Sequence, residues 1–168
     1  MSTALVTGAT AGIGREFAVQ LATKGEDLVL VARDEARLAA VAGELSGRHG
    51  VAVEVLPADL SDRAQLERVA ERLRDTARPV DLLVNNAGII TIDKLEDTRL
   101  EDVERVLRIN TTAVLIGVQQ ALPLLRASDG ALVAIDTSAH VFVDARTRRP
   151  SEIPTNLRMN LEQLVAGR

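Results

Sequence analysis

A short apolar run, Ala4-Leu5-Val6, leads straight into Thr7-Gly8-Ala9-Thr10-Ala11-Gly12-Ile13-Gly14. That order of strand, glycine-rich turn and helix start narrows the folds open to this chain more than any later stretch. It is the physical arrangement that grips a pyrophosphate: Gly8 lets the chain turn sharply, Gly12 leaves a phosphate room against bare backbone, and Gly14 lets the new helix sit close to the sheet. Backbone N–H groups at the helix start face the anion, helped by the positive end of the helix dipole. An ordinary strand-to-helix turn that happens to be rich in glycine would show the same letters. Under the phosphate reading, Gly8, Thr10, Gly12, Ile13 and Gly14 are the contact residues.

Composition removes several classes of function. At 168 residues the chain has the length of one domain with a real core. Its 46% hydrophobic and 26% charged residues are ordinary for a globular protein. A net charge of −4 offers no broad basic face for nucleic acid, and Phe17 and Phe142 are the only aromatics, so base-stacking platforms are missing too. Without cysteine there is no disulfide, thiolate nucleophile or cysteine-based metal site, and no metal is expected. No apolar stretch approaches a membrane span, and the first residues do not read as a secretion signal. These features predict a cytoplasmic protein.

Strand and helix patterns alternate along the chain. Leu28-Val29-Leu30-Val31-Ala32 reads as a strand buried on both faces. Val51 to Leu56, Val80 to Val84 and Ala131 to Ile135 are further strand candidates. Between them, Ile13, Phe17 and Leu21 mark a first helix that stops near Gly25. Leu38, Val41, Ala42 and Leu45 mark a second. A third is expected from Asp62 to Ala77 with Ser61 as its N-cap, and a long one or a pair from about Leu100 to Leu125. The pattern predicts an α/β fold, a doubly wound parallel sheet of about five strands with helices on both faces.

Three more constellations fit the glycine turn. Arg33 follows the second strand, 19 residues after Gly14, where a ribose-reading side chain is expected. A carboxylate there would bind the 2′-hydroxyl of NAD; a guanidinium favours the 2′-phosphate of NADP. Arg33 thus points to NADP, with NAD the alternative and neighbouring Asp34 weakening the local positive field. Asp59-Leu60 lies just past the third strand, where Asp59 either contacts an adenine ring or serves as a turn or cap residue. Asn85-Asn86-Ala87-Gly88 follows the fourth strand, at the end of a parallel sheet where ligands bind. Small residues let a flat ring approach the backbone there, and asparagine amides tie neighbouring loops together; a plain polar turn is the alternative. Asn110 falls inside a helical pattern, where an amide kinks the helix or holds water, unless it is simply a surface residue.

Over roughly residues 3 to 140 these motifs, in this order and at these separations, resemble the short-chain dehydrogenase/reductase superfamily. The segment from Ile109 to Leu125 is similar to the family's helix in that place. The resemblance implies a Rossmann-like domain over residues 1–140 that binds a nicotinamide dinucleotide and moves hydride between it and a small alcohol or carbonyl. Cofactor contacts would come from the glycine turn, Arg33, Asp59, Leu60, Asn86, Ala87 and Gly88. The helix from Thr111 to Leu125 resembles the family's dimer-forming helix, while its usual partner helix has no evident counterpart in the sequence, so a homo-oligomer and other oligomeric states both stay open.

Members of this type carry a catalytic Asn–Ser–Tyr–Lys set. Asn110 carries over, and Thr137 or Ser138 fits the serine position, with Asp136 beside them as a departure. The tyrosine exchanges a proton with the substrate oxygen and a lysine one helical turn later lowers its pKa, which for a free phenol is about 10. This chain has no tyrosine, and its only lysines are Lys24 and Lys94, far upstream. The window where the tyrosine should stand reads Arg148-Arg149-Pro150-Ser151-Glu152-Ile153-Pro154, and two prolines so close break the helix that should carry the pair. His140 is a poor substitute, and arginine is always protonated.

Residues 141–168 read as a divergent basic tail with a short helix over Leu157 to Val165, without the family's last strands. Two functions stay open. One is an NADP-dependent oxidoreductase with impaired proton transfer; the other is a non-catalytic nucleotide-binding fragment, truncated, frame-shifted or degenerate, that associates with other subunits. The substrate is not legible. An apolar strand at 131–135 without its neighbours would be a sheet edge that invites association.

Overall fold

Strand–helix alternation works out here as a four-stranded parallel sheet among the described residues. The computed structural model describes residues 2–91 and 94–127. Its strands are β1 (Thr3–Thr7), β2 (Asp27–Ala32), β3 (Val53–Pro57) and β4 (Leu82–Val84), all parallel. The register runs Leu5 opposite Val29 and Leu83, and Leu30 opposite Val55. From β1 the chain steps outward to β2 and β3, then returns to place β4 on the other side of β1. The reversal between β1 and β4 is a topological switch point, with loops leaving in opposite directions.

Strand periodicity divides the core in two. Leu5, Val29, Val31 and Leu83 face one way and pack with Leu66, Val69 and Leu73 of α3 (Arg63–Arg74) and with Ala121 of α5 (Val114–Ala127). Ala4, Val6, Leu28, Leu30 and Val84 face the other way, onto α1 (Gly12–Thr23) and α2 (Glu35–His49). Burying each leucine or valine is worth about 1.5–3 kcal/mol, and the middles of β1 and β2, Ala4 to Val6 and Leu28 to Val31, are buried on both faces, which is why every residue there is apolar.

The first helix corrects one expectation. Its buried residues are Gly14, Ala18 and Ala22, while Ile13 is 57% exposed and Phe17 and Leu21 only border the core. A stripe of small side chains brings α1 close to the sheet, so the larger apolar residues are displaced to its flanks. Gly25, at φ 82°, follows the helix end as expected. A second correction concerns α3: its N-cap is Asp62, whose carboxylate accepts from the Gln65 N–H, rather than Ser61. Ser61 instead donates to Asp59. The helix ends at Arg74, and Ala77 lies in a turn held by Asp75.

The long helical pattern becomes α4 (Leu100–Leu107), a π-helical turn (Arg108–Ala113) and α5. Of α4 no residue is fully buried, and Leu100, Leu107 and Leu115 stand exposed. The expected fifth strand at 131–135, Asp136, Thr137, Ser138, His140, the proline-containing window 148–154 and the tail 141–168 with its short helix lie outside the described residues.

Candidate functional site

A cleft of about 590 Å³ opens along the carboxyl ends of all four strands. Gly8, Thr10 and Ala11 line it from the β1 loop, Arg33 and Asp34 from the β2 end, Ala58, Asp59 and Leu60 after β3, and Asn86 to Ile89 after β4. Each sequence-predicted segment therefore reaches the same hollow, whose size suits a large organic ligand. Gly12, Ile13, Gly14 and Asn110 are not among its lining residues.

The glycines act for three separate physical reasons. Gly8 has φ 69°, and a Cβ there would come within 2.7 Å of the Asn86 amide nitrogen. Gly12 has φ 54° with open space around its missing Cβ, so the left-handed backbone, rather than crowding, requires glycine there. A Cβ on Gly14 would overlap the Gly8 carbonyl and the Asn86 amide, so α1 starts against the loop only because Gly14 lacks a side chain.

Thr7 and Asn86 join the first and fourth loops across the switch point. The Thr7 hydroxyl donates to the Val84 carbonyl and accepts from the N–H groups of Asn86 and Ala87, both at 3.0 Å. The Asn86 amide donates to the carbonyl oxygens of Thr7, at 2.9 Å, and Gly8. Asparagine amides thus tie the loops together, as the motif suggested, and this one spends its donors on backbone. Asn85 is different: its amide nitrogen is buried with no hydrogen-bond partner among the described residues.

Asn110 occupies the π-helical turn and clamps the fourth loop from outside. Its oxygen accepts from the Ile89 N–H at 3.0 Å and its nitrogen donates to the Ile89 carbonyl at 2.8 Å. Wider π geometry at a helix interior commonly marks a functional position, and here it brings an amide to the backbone of a residue that lines the cleft. The helical pattern around Asn110 is interrupted by this π-helical turn.

Charge at the outer end of the cleft is closely paired. Asp34 caps α2 by accepting from the Arg37 N–H, and its second oxygen lies 3.3 Å from Arg37 Nε. The field-weakening effect expected of Asp34 on Arg33 is thereby offset by Arg37, which also lines the cleft. Asp59 accepts from the Ser61 N–H and hydroxyl and pairs with Arg105 at 3.4 Å. Burial pushes the Asp59 carboxyl up, but the Ser61 hydrogen bonds, then Arg105 and Arg33, outweigh it and hold the group below its usual value. Asp59 is thus a turn-forming residue that also lines the cleft. Arg37 and Arg105 were missed from sequence. Arg37 had a local signal, standing one helical turn after Arg33 beside a capping Asp34; Arg105, 46 residues from Asp59, had none. Among the described residues no cluster of His, Asp or Glu could hold a metal ion.

The family model for short chain dehydrogenases matches residues 2–145. The chain belongs to that family. Its membership carries the fold with it, and the short-chain dehydrogenase from Sphingobium yanoikuyae in complex with NADPH superposes with a TM-score of 0.74 at 42% identity, over 78% of this chain and 51% of that one. Among curated relatives, the very-long-chain 3-oxoacyl-CoA reductase of Eremothecium gossypii is 39% identical over 128 residues, 74% of this chain and 36% of its own. The rhamnolipids biosynthesis 3-oxoacyl-[acyl-carrier-protein] reductase of Pseudomonas aeruginosa is 40% identical over 76% of this chain and 49% of its own. This short-chain dehydrogenase chain therefore spans about a third to a half of the length of those relatives. No helix of the described residues is long and apolar enough to cross a membrane.

Proposed function

We propose that this chain binds NADP(H) in the cleft at the strand ends, and that its own residues do not complete the family's proton transfer. The observation that carries the reading is the convergence of the glycine turn, Arg33, Asp59-Leu60 and Asn86-Ala87-Gly88 on one hollow at the switch point. The residues suit the group. Gly8 and Gly12 hold the left-handed backbone that shapes the turn, and the α1 N-terminus adds a positive dipole end for the phosphates. Arg33 is exposed at the β2 end, where a guanidinium would take a 2′-phosphate. Asn86 and Asn110 hold the walls, the former through Thr7 and Gly8 and the latter through Ile89. NADP(H), when bound, supplies or accepts the hydride exchanged with an alcohol or carbonyl. NADPH in the Sphingobium complex and the reductase activities named for the Eremothecium and Pseudomonas relatives support this class.

Proton transfer is where this chain departs. Thr137 or Ser138 would steady the substrate oxygen, yet no tyrosine exists to exchange a proton with it and no lysine to lower a phenol pKa. That same absence favours the second reading, a non-catalytic nucleotide-binding chain, for which association with other subunits and a cytoplasmic location are further proposals.

Titrating the protein with NADPH and then adding a 3-oxoacyl thioester tests both parts. Saturable binding with no measurable NADPH oxidation is the expected outcome. Turnover at about 1 s⁻¹ or faster, ordinary for an enzyme, would overturn the non-catalytic part; absence of saturable binding would overturn the cofactor assignment.

A further inference from the structure

Little holds α4 to the rest of the fold. None of its residues is fully buried, Leu100 and Leu107 stand exposed, and Arg99 at its N-cap makes no side-chain capping bond. The ion pairs at its two ends are local, Arg99 with Glu101 and Arg108 with Glu104. At eight residues it is too short to persist as a helix on its own. Among the described residues, its one side-chain bond to the sheet side of the molecule runs from Arg105 to Asp59, at 3.4 Å. Asp59 is a fixed post for it. The Asp59 N–H donates to Gln65, its carbonyl accepts from the Asp62 N–H, and its other carboxylate oxygen holds Ser61. Asp59 also lines the cleft, whereas Arg105 does not.

We propose that Arg105 is a positioning residue that latches α4 to the cleft, so that a nucleotide beside Asp59 and the docked α4 stabilise one another. In the open cleft water reaches the pair, and partly exposed ion pairs are weak. A ligand covering Asp59 displaces that water and lowers the local dielectric, which strengthens the attraction between guanidinium and carboxylate. A neutral amino group on the ligand does not displace Arg105, because a charged donor bonds a carboxylate more strongly. Latched, α4 also steadies the π-helical turn that follows it, whose Asn110 holds Ile89 on the wall after β4. Such coupling is reciprocal: nucleotide tightens α4 by the factor by which docked α4 tightens nucleotide. The inference rests on the proposed binding of NADP(H) and names a helix outside the cleft that responds to it.

Hydrogen exchange of the α4 amides, with and without saturating 2′,5′-ADP (the adenosine end of NADP), reads the coupling, and calorimetry reads the affinity. In wild-type protein the ligand should slow α4 exchange about fivefold, the lower end of common coupling factors. Arg105→Gln removes the charge; it should abolish that slowing and weaken 2′,5′-ADP binding by the same factor. Arg105→Lys should keep part of both effects. Arg108→Gln, which breaks only a pair local to the helix, should leave both intact. If Arg105 merely stabilises structure, Arg105→Gln will speed α4 exchange equally with and without ligand and leave the affinity unchanged, which overturns the inference. Ligand that speeds α4 exchange in the wild type, by taking Asp59 from Arg105, overturns it too. Wild-type protein that shows no binding by calorimetry refutes the nucleotide reading itself, and the inference with it.

Discussion

Glycine placement shows at the scale of single residues how one letter serves opposite energetics. In the helix α2, Gly43 and Gly47 have nothing within 4 Å of a would-be Cβ. Alanine at either position should stabilise the protein by up to about 1 kcal/mol through helix propensity. Gly14 also lies in a helix, yet its missing Cβ is where the Gly8 carbonyl and the Asn86 amide sit. Gly14→Ala is expected to destabilise by roughly 1–3 kcal/mol, because overpacking against backbone outweighs propensity. Urea denaturation of the three variants checks the contrast in sign, and a Gly14→Ala protein as stable as Gly43→Ala would refute the close-contact account. Sequence spacing alone marked Gly14 for this role. The reason for Gly12 was visible only from its φ of 54°, since no neighbour crowds it.

Among the elements, the helices differ in how much of their ending is local. Asp34 and Asp62 cap α2 and α3 through the same bond, side-chain oxygen to the N–H three residues on. Because Ser61 precedes Asp62, the sequence offered two capping oxygens, and the choice between them fell to Asp59, which draws the Ser61 hydroxyl to itself at 2.7 Å. Asp62→Ala should therefore cost about 1 kcal/mol. Ser61→Ala should leave α3 capped and act on the Asp59 turn instead. Thermal unfolding of the two variants distinguishes them: a larger loss for Ser61→Ala than for Asp62→Ala would contradict the assignment. The π-helical turn at Arg108–Ala113 follows the same logic at longer range. Asn110 is a weak helix former, but what it bonds is Ile89, 21 residues earlier, and no local pattern announces that partner.

For the molecule as a whole, the cleft is a product of topology. Four loops separated by up to about eighty residues of chain, from Gly8 to Ile89, meet only because β4 returns to pair with β1. The edge strand β3 is guarded by Glu54, which bonds Arg72 at 2.9 Å and Arg78 at 3.3 Å, and by Pro57, which lacks a donor. A ligand that bridges the four loops stabilises all of them together. With 2′,5′-ADP at a hundred times its dissociation constant, the free energy of unfolding should rise by about 2.7 kcal/mol. A melting temperature that does not move with concentration of this ligand would count against a site built at the strand ends.

What the sequence determined by itself was whatever rests on near neighbours: the apolar runs that become buried strands, the helical repeats, the glycine turn and the asparagine loop that follows β4. These follow from side-chain periodicity and backbone sterics, which act within a few residues. The α1 face was misread for a related reason, because periodicity marks apolar positions and does not say which of them, small Gly14, Ala18 and Ala22 or large Ile13, approaches the sheet. Tertiary structure alone decided the pairings of Arg105 with Asp59, Asn110 with Ile89, and Asn86 with Thr7 and Gly8. Hydrogen bonds and ion pairs act over a few ångströms of space, and these partners became neighbours only after the sheet had ordered its strands.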